Sequence, residues 1–441
     1  MSSEKIRPGL RVRVKTRTGL VLEGLVLPRY ELYGKDHVTL KLDNGYNVGI
    51  RVDNIVKVEV LGKPGGRGRS EGEIVPERAK EKPGVEKRVF ILGTGGTIAS
   101  KIDYETGGVK PTLTTEDLLE AVPEIADICR IQTELLFNVF SEDLKPSHWS
   151  QIAERVASLL KEDPERGVII AHGTDTMSYT ASALSFALRR LPAPIALVGA
   201  QRSSDRPSSD SAMNLVAAAL YATSGIGEVA IVMHGETGDT YALAHRGTRV
   251  RKMHTSRRDA FQSIDSLPLA KILPEKKQVV ILRSDARRVC RDCEPIVMTK
   301  FSDRVALVKF YPGMKPSIID HLVDDGYLGI VLEGTGLGHV ANDLIPSIRR
   351  GVKSGVVFTM TSQCLFGTVN MNVYSTGRKL LEAGVIPSGD MLPETAFVKL
   401  SWLLGNYDDL DEVKRLYTTN LVGEMEERRR VDLFPGWKHE P

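Results

Sequence analysis

Cysteine is scarce. Four residues in a chain of 441 cannot make a disulfide framework, and their thiols fit a reducing compartment. Cys290 and Cys293 form a lone CxxC in RRVCRDCEP, but no second pair stands at zinc-like spacing, and Cys129 and Cys364 lie far away in apolar contexts. The pair by itself therefore supplies no metal site. Long apolar runs are missing too: none approaches the roughly 20 residues a membrane span needs. The opening MSSEKIRPGL lacks the apolar core and small-residue cleavage site of a secretory signal, so the expected compartment is the cytoplasm. Charge imbalance is also small. A formal net charge of +3 is too little to announce nucleic-acid binding.

What is present divides by composition. The length exceeds one ordinary core, so two or three domains are expected. Residues 62–87, GKPGGRGRSEGEIVPERAKEKPGVEK, carry little to bury against their ordering entropy and read as a linker. Ahead of them, residues 1–61 hold the short alternating runs LRVRVK, LVLEGLVL, HVTLKL, YNVGIRV and IVKVEVL. They are punctuated by turn signals at Thr18-Gly19, Gly34-Lys35-Asp36 and Asp43-Asn44-Gly45. Period-two strands at this spacing predict a small antiparallel β-barrel, a docking or RNA-contact module or a simple spacer.

After the linker, apolar runs alternate with helical patterns. RVFILGTG, GVIIAHG, APIALVGA and EVAIVMHG read as buried strands, and Trp149, Ile152, Ala153, Val156, Leu159 and Leu160 share one helical face. This predicts a doubly wound α/β domain over 88–281. A charged, turn-like connection follows over 282–300. RVALVKFYPG, GIVLEGTG and VVFTMTSQ then predict a second, smaller α/β domain over 301–421, with a tail over 422–441. Ligands of such sheets sit beyond the carboxyl ends of the strands. That rule directs attention to Thr94-Gly95-Gly96-Thr97, His172-Gly173-Thr174-Asp175-Thr176 and Ala200-Gln201-Arg202-Ser203.

The first turn resembles a phosphate cradle but lacks its parts. A dinucleotide fingerprint needs a third glycine where Thr97-Ile98-Ala99 stand, and a P-loop needs a lysine before its Ser/Thr. The other reading is that the glycines admit a small substrate, free N–H groups hold an oxyanion, and Thr97 is offered as a nucleophile. A threonine hydroxyl needs a base. Thr174 and Asp175 are not good bases at neutral pH, so a lysine or tyrosine must complete the set. The residues alone do not choose which.

TGGTIAS (Thr94–Ser100) followed by HGTDTM (His172–Met177) resembles the paired signature of the bacterial-type L-asparaginase and glutaminase family, a likeness that extends over about Lys87 to Thr419. The resemblance implies an asparaginase-like two-domain doubly wound body. It also implies site roles: Thr97 as nucleophile, Thr174 and Asp175 as the second polar group, and Lys252, in RGTRVRKMHTSRRDAFQS, as the lysine that tunes Thr174 or a water. Tyr104, in KIDYETGG, matches the tyrosine of a lid placed between a strand and a helix. Ser141, in FSEDL, matches the serine that binds the substrate's α-carboxylate, with Asp175 also holding the α-ammonium; as an alternative, Ser141 caps the following helix. Lys252 stands among Arg246, Arg249, Arg251, Arg257 and Arg258, which read as a solvated charge run and whose charges favour the neutral amine a base needs.

One loop departs from the family. GTGLGHVAND, from Gly334, carries Leu337 and His339 where many members have asparagines, so selectivity for asparagine is not implied. An N-terminal barrel on such a body is similar to the branch of the family that passes ammonia from glutamine to a partner subunit acting on Glu-tRNA(Gln). That likeness implies no cofactor in this chain, ATP and Mg2+ on the partner, tRNA bound through the complex, a homodimeric body and no membrane. A free-standing cytosolic L-asparaginase is the alternative.

Overall fold

The computed structural model describes residues 7, 9–26, 37–42, 47–62, 85–95, 100–102, 109–111, 118–119, 122–202, 209–426, 428 and 431–434. The N-terminal strands β1 (Arg11–Thr16), β2 (Val21–Val26), β3 (His37–Leu42), β4 (Asn47–Arg51) and β5 (Ile55–Gly62) each fall on one of the five alternating runs. They form one antiparallel sheet in the order β4-β3-β2-β1-β5. Alternation decides its faces: Val12 and Val14 are buried while Arg13 and Lys15 between them are exposed. The buried set continues through Val26, Val38, Leu40, Ile50 and Ile55. Among the described residues no pairing of β4 with β5 closes the barrel. Of the expected turns, Gly19 adopts φ +85°, whereas Gly34-Lys35-Asp36 and Asp43-Asn44-Gly45 lie outside the described residues, as does 63–84 of the linker.

The next domain is built on β6 (Arg88–Gly93), a two-stranded ribbon of β7 (Ser100–Ile102) and β8 (Val109–Pro111), and β9 (Arg130–Leu135). Helix α1 (Pro146–Glu162) buries Trp149, Ile152, Ala153, Val156, Leu159 and Leu160, the face read from the sequence. There follow β10 (Gly167–Ala171), α2 (Met177–Ala187), β11 (Leu188–Arg189), β12 (Ile195–Val198), α3 (Ser211–Ala222), β13 (Val229–His234) and β14 (Ala242–Arg246). The hairpin β15 (Val250–Lys252) and β16 (Phe261–Ser263) and the strands β17 (Ala270–Leu273) and β18 (Gln278–Ile281) complete it.

The main sheet runs β18-β17-β14-β13-β12-β10-β6-β9. Its β9-β6-β10-β12-β13 portion is parallel, and β14, β17 and β18 extend it antiparallel. Central strands are buried on both faces, which is why they read as unbroken apolar runs. The parallel order has a consequence. The chain leaves β6 for β9 on one side and returns to β10 on the other, so strand order reverses between β6 and β10. Ligands of open α/β sheets bind at such a switch point, and here the two signature motifs follow the two strands that flank it.

The connection over 282–300 contains β19 (Ile296–Val297), paired with β11. Here the structure departs from the expectation of free thiols: Cys290 and Cys293 are joined as a disulfide, Cα to Cα 5.3 Å. Three residues apart in a turn, the two side chains are close enough to bridge locally. Cys129 and Cys364 are free, and burial pushes the Cys129 thiol up to about 12.

The smaller domain is a parallel sheet of β20 (Val305–Lys309), β21 (Gly329–Gly334), β22 (Val357–Ser362) and β23 (Ile386–Pro387). The helices α4 (Pro316–Asp324), α5 (Ile345–Lys353), α6 (Ser375–Glu382), α7 (Pro393–Asn406) and α8 (Leu410–Tyr417) pack around it. Helix α7 joins the domains: Trp402 stacks on Phe186 of α2, ring centroids 5.8 Å apart. Among the described residues no helix is long and apolar enough to cross a membrane.

Candidate active site

The turn after β6 begins with a threonine that is already committed. Thr94 is buried, and its hydroxyl donates to the Ala171 carbonyl at 3.0 Å, beside the bond its own N–H makes to the same oxygen. Gly95 follows at φ +113°, where a Cβ would lie 2.1 Å from the Val139 carbonyl oxygen. Glycine is needed on both counts: it brings the turn against the segment that leads into Ser141. Gly95→Ala is expected to cost about 1–3 kcal/mol in backbone strain, with the overlap added. Urea unfolding should show the loss, and an unchanged midpoint would refute this account. Thr97 and Tyr104 lie outside the described residues. Tyr104 belongs to the six residues joining β7 to β8, so the segment expected between a strand and a helix instead connects two paired strands.

The turn after β10 supplies the second group. His172 is fully buried; its Nδ1–H donates to the Gly173 carbonyl at 2.6 Å, and its Nε2 accepts from the Thr180 hydroxyl at 2.8 Å. Burial pushes this imidazole down to about 4, so it is neutral at pH 7 and both nitrogens are occupied. It shapes the turn. Thr176 is committed as well, donating to the Ser141 carbonyl at 2.6 Å. Gly173 has no room for a side chain, because a Cβ there would stand 2.8 Å from that of Ser141. Ser141 is buried against the turn, and the N-cap of α1 is Lys145, which removes the helix-capping alternative.

Lys252 arrives at the end of β15. Its Nζ donates to Thr174 Oγ1 at 2.9 Å and to Asp175 Oδ1 at 2.7 Å. The lysine is largely covered, 14% exposed, while Asp175 is 68% exposed, so the carboxylate can face a ligand while the ammonium stays behind it. Ser141, Thr174, Asp175 and Lys252 are thus brought together at the crevice that the strand order dictates.

The surroundings of Lys252 correct the sequence reading. The arginines are not all solvated: Arg246 and Arg249 are buried, while Arg257 is exposed. Nor do they leave a surplus of positive charge. Arg246 pairs with Glu228 and Asp285, Arg249 with Asp390, Arg251 with Glu394, Arg257 with Asp259 and Arg258 with Asp239. The Arg246 pair holds the Glu228 carboxyl below the usual range against the opposing effect of burial. Buried guanidinium groups need such partners, and they anchor the segment that presents Lys252.

The third turn is visible in the sequence, but its support is not. The N–H groups of Gln201 and Arg202 donate to the Asp210 carboxylate at 3.0 and 2.9 Å. Asn214, one helical turn on, donates to the same carboxylate at 2.9 Å. The spacing of Asp210 and Asn214 at a helix start is the available signal, since residues four apart share a helical face. Ser203 lies outside the described residues. Gly199 approaches so closely that a Cβ would stand 2.7 Å from Thr174 Cγ2.

A lysine bonded to a hydroxyl and a carboxylate in the switch-point crevice fits an amidohydrolase of the asparaginase and glutaminase type, the class to which the two α/β domains match. Residues 88–287 match the family model described as "Asparaginase, N-terminal", 304–417 that of "Glutaminase/Asparaginase C-terminal domain", and 6–61 that of "GatD N-terminal domain". Among solved structures, the thermostable L-asparaginase from Thermococcus kodakarensis is similar at a TM-score of 0.69 and 32% identity, over 77% of this chain and 100% of that one. L-asparaginase I from Vibrio cholerae is similar at 0.67 and 29%, over 77% and 99%. The similarity to curated proteins spans the N-terminal module as well. The chain is 57% identical over 93% of its length to the GatD subunit of the glutamyl-tRNA(Gln) amidotransferase of Pyrococcus abyssi, covering 92% of that protein. It is 56% identical over 96% of its length to the same subunit from Thermococcus kodakarensis, covering 95%. The chain belongs to the GatD family of glutamyl-tRNA(Gln) amidotransferase subunits.

Proposed function

We propose that this chain is the glutaminase component of a tRNA-dependent amidotransferase and that Thr97 is its nucleophile. The observation that carries the reading is the disposition of the hydroxyls. Thr94 and Thr176 are committed to backbone carbonyls, and Thr174 accepts from Lys252 and so stands with the proton-transfer group, which supports Thr97 as the attacking hydroxyl. Its Oγ bonds to the side-chain amide carbon of glutamine, the C–N bond breaks, and nitrogen leaves as ammonia after taking up a proton. Water then cleaves the acyl ester to glutamate. Lys252 donates to Thr174, so Thr174 Oγ1 is an acceptor in that contact and its own proton is free to point elsewhere. After Lys252 gives up a proton, the pair can take one from the attacking group. Asp175, with one carboxylate oxygen on Lys252, has the other for the substrate's α-ammonium. Ser141 serves the α-carboxylate and Tyr104 assists the nucleophile.

The ammonia passes to an E-type partner subunit that acts on Glu-tRNA(Gln), where ATP and Mg2+ serve the activation step. The body is a homodimer within a heterotetramer, in the cytoplasm. A donor that ran unchecked would waste glutamine, so its site is completed only when the partner and charged tRNA are present, a gating by induced closure. The expected result is low ammonia release from either amide by the chain alone, and strong stimulation on glutamine when partner and Glu-tRNA(Gln) are added together. High asparaginase activity from the isolated chain, unmoved by either addition, would replace this reading with that of a free-standing L-asparaginase.

A further inference from the structure

At the carboxyl end of β13, His234 is fully buried, and both ring nitrogens face oxygen. Nδ1 lies 2.6 Å from Asn214 Oδ1 and Nε2 lies 3.0 Å from Asp239 Oδ1. The orientation of Asn214 is set by its other contacts: its Nδ2 donates to the Gly199 carbonyl at 3.1 Å and to Asp210 Oδ2 at 2.9 Å. Its Oδ1 can therefore only accept. An ionised carboxylate such as Asp239 also only accepts. Both nitrogens of His234 must donate, and this arrangement is complete only with the imidazolium.

The groups it joins belong to segments bordering the site. Asp210 and Asn214 hold the turn 199–202, which abuts Thr174. Asp239 also accepts from Arg258 Nη1 at 2.9 Å, and Arg258 lies in the loop of the hairpin whose first strand ends in Lys252. The charged groups facing this chain of contacts are Asp210 from α3, Asp239 from the β13–β14 connection and Arg258 from the hairpin; nearby Glu236 is taken by the Thr240 hydroxyl. The Asp239 carboxyl is held below its usual range, first by the hydrogen bond from His234 and then by Arg258.

We propose that His234 is a positioning residue for amide hydrolysis: as an imidazolium it clamps the turn beside Thr174 to the hairpin that carries Lys252, and on losing a proton it releases one of the two. The proposal rests on reading Thr174 and Lys252 as part of the active site. Deprotonation sets a ring lone pair against either the Asn214 or the Asp239 oxygen, so one link opens as pH rises. Removing the Asp239 charge makes the imidazolium easier to discharge.

The test uses the full chain with 13C-labelled histidine, its His234 signal assigned by its absence in His234→Gln. Ammonia release is followed against pH with the partner and Glu-tRNA(Gln) present, and backbone hydrogen exchange of residues 252–260 is followed in the chain itself. The expected results are an imidazolium signal at the pH of maximal ammonia release, an alkaline loss of kcat with little change in KM that follows loss of that signal, and loss of hairpin protection over the same range. In Asp239→Asn all three move together to lower pH. A neutral His234 signal at the pH of maximal ammonia release would overturn the proposal, and so would a hairpin and an activity limb that stay in place in Asp239→Asn while the signal moves. Failure to hydrolyse either amide would instead count against the reading of the site, since the histidine signal and the exchange are read without turnover.

Discussion

Thr97→Ala abolishes ammonia release from glutamine, by on the order of 10⁴-fold or more, as expected when a covalent nucleophile is lost and only binding and oxyanion stabilisation remain. Two neighbouring hydroxyls are already committed to backbone carbonyls. Thr94 gives its proton to the Ala171 carbonyl and Thr176 gives its own to the Ser141 carbonyl. A threonine whose O–H is bound to a backbone carbonyl stabilises a turn and is poorly placed to attack. Thr94→Val is therefore expected to do the opposite of Thr97→Ala. It loses a buried hydrogen bond worth about 1 kcal/mol, with about 1–3 kcal/mol at stake if an acceptor is stranded, but retains the chemistry. Ammonia release and thermal unfolding measured on both variants decide the matter. Near-normal turnover in Thr97→Ala would place the nucleophile elsewhere.

Lys252→Met should lower kcat by about 10²–10⁴-fold, the range for a positioned proton-transfer group. Methionine keeps the apolar stem packed while removing both donated hydrogen bonds, to Thr174 and to Asp175. The fold should tolerate the change, because the stranded carboxylate of Asp175 is mostly in water and loses little with its counter-charge. Single-turnover measurement at saturating glutamine, with the partner present, separates a chemical defect from a binding one. Turnover within a few fold of the parent would return Lys252 to an anchoring role like that of the arginines around it.

The arginines show where sequence reading reaches its limit. Six basic residues within 13 positions, Arg246 to Arg258, look like a solvated face because Asp259, beside Arg257, is the one carboxylate next to them in sequence. The carboxylates that match them, Glu228, Asp285, Asp390 and Glu394, come from both domains and from up to 143 residues away. The disulfide is hidden for a different reason. Cys290 and Cys293 lack further ligands for a metal, and their spacing alone does not show the turn geometry that lets them bridge. His234 carries no signal at all, since an apolar strand ending in histidine is ordinary until Asn214 and Asp239 are seen on its two nitrogens.

The strands and the amphipathic helix were determined by the sequence itself, because burial on one face or two leaves a period that local spacing records: Trp149 to Leu160 on α1, and the unbroken runs of β6, β10, β12 and β13. The motifs were equally local, each lying within a few residues of a strand end where topology requires a ligand to sit. What only tertiary structure decided was which of the chemically equivalent groups are available. Thr94 and Thr174 are the same side chain after the two strands that flank the crevice, and Lys252 is one cation in a run of six. The difference lies in hydrogen bonds to Ala171, Thr174 and Asp175, more than 70 positions away. Such bonds form only after the strand order has closed the β6–β10 crevice, because the free energy that selects a partner for a polar group depends on its position in the packed fold and not on its neighbours in the chain.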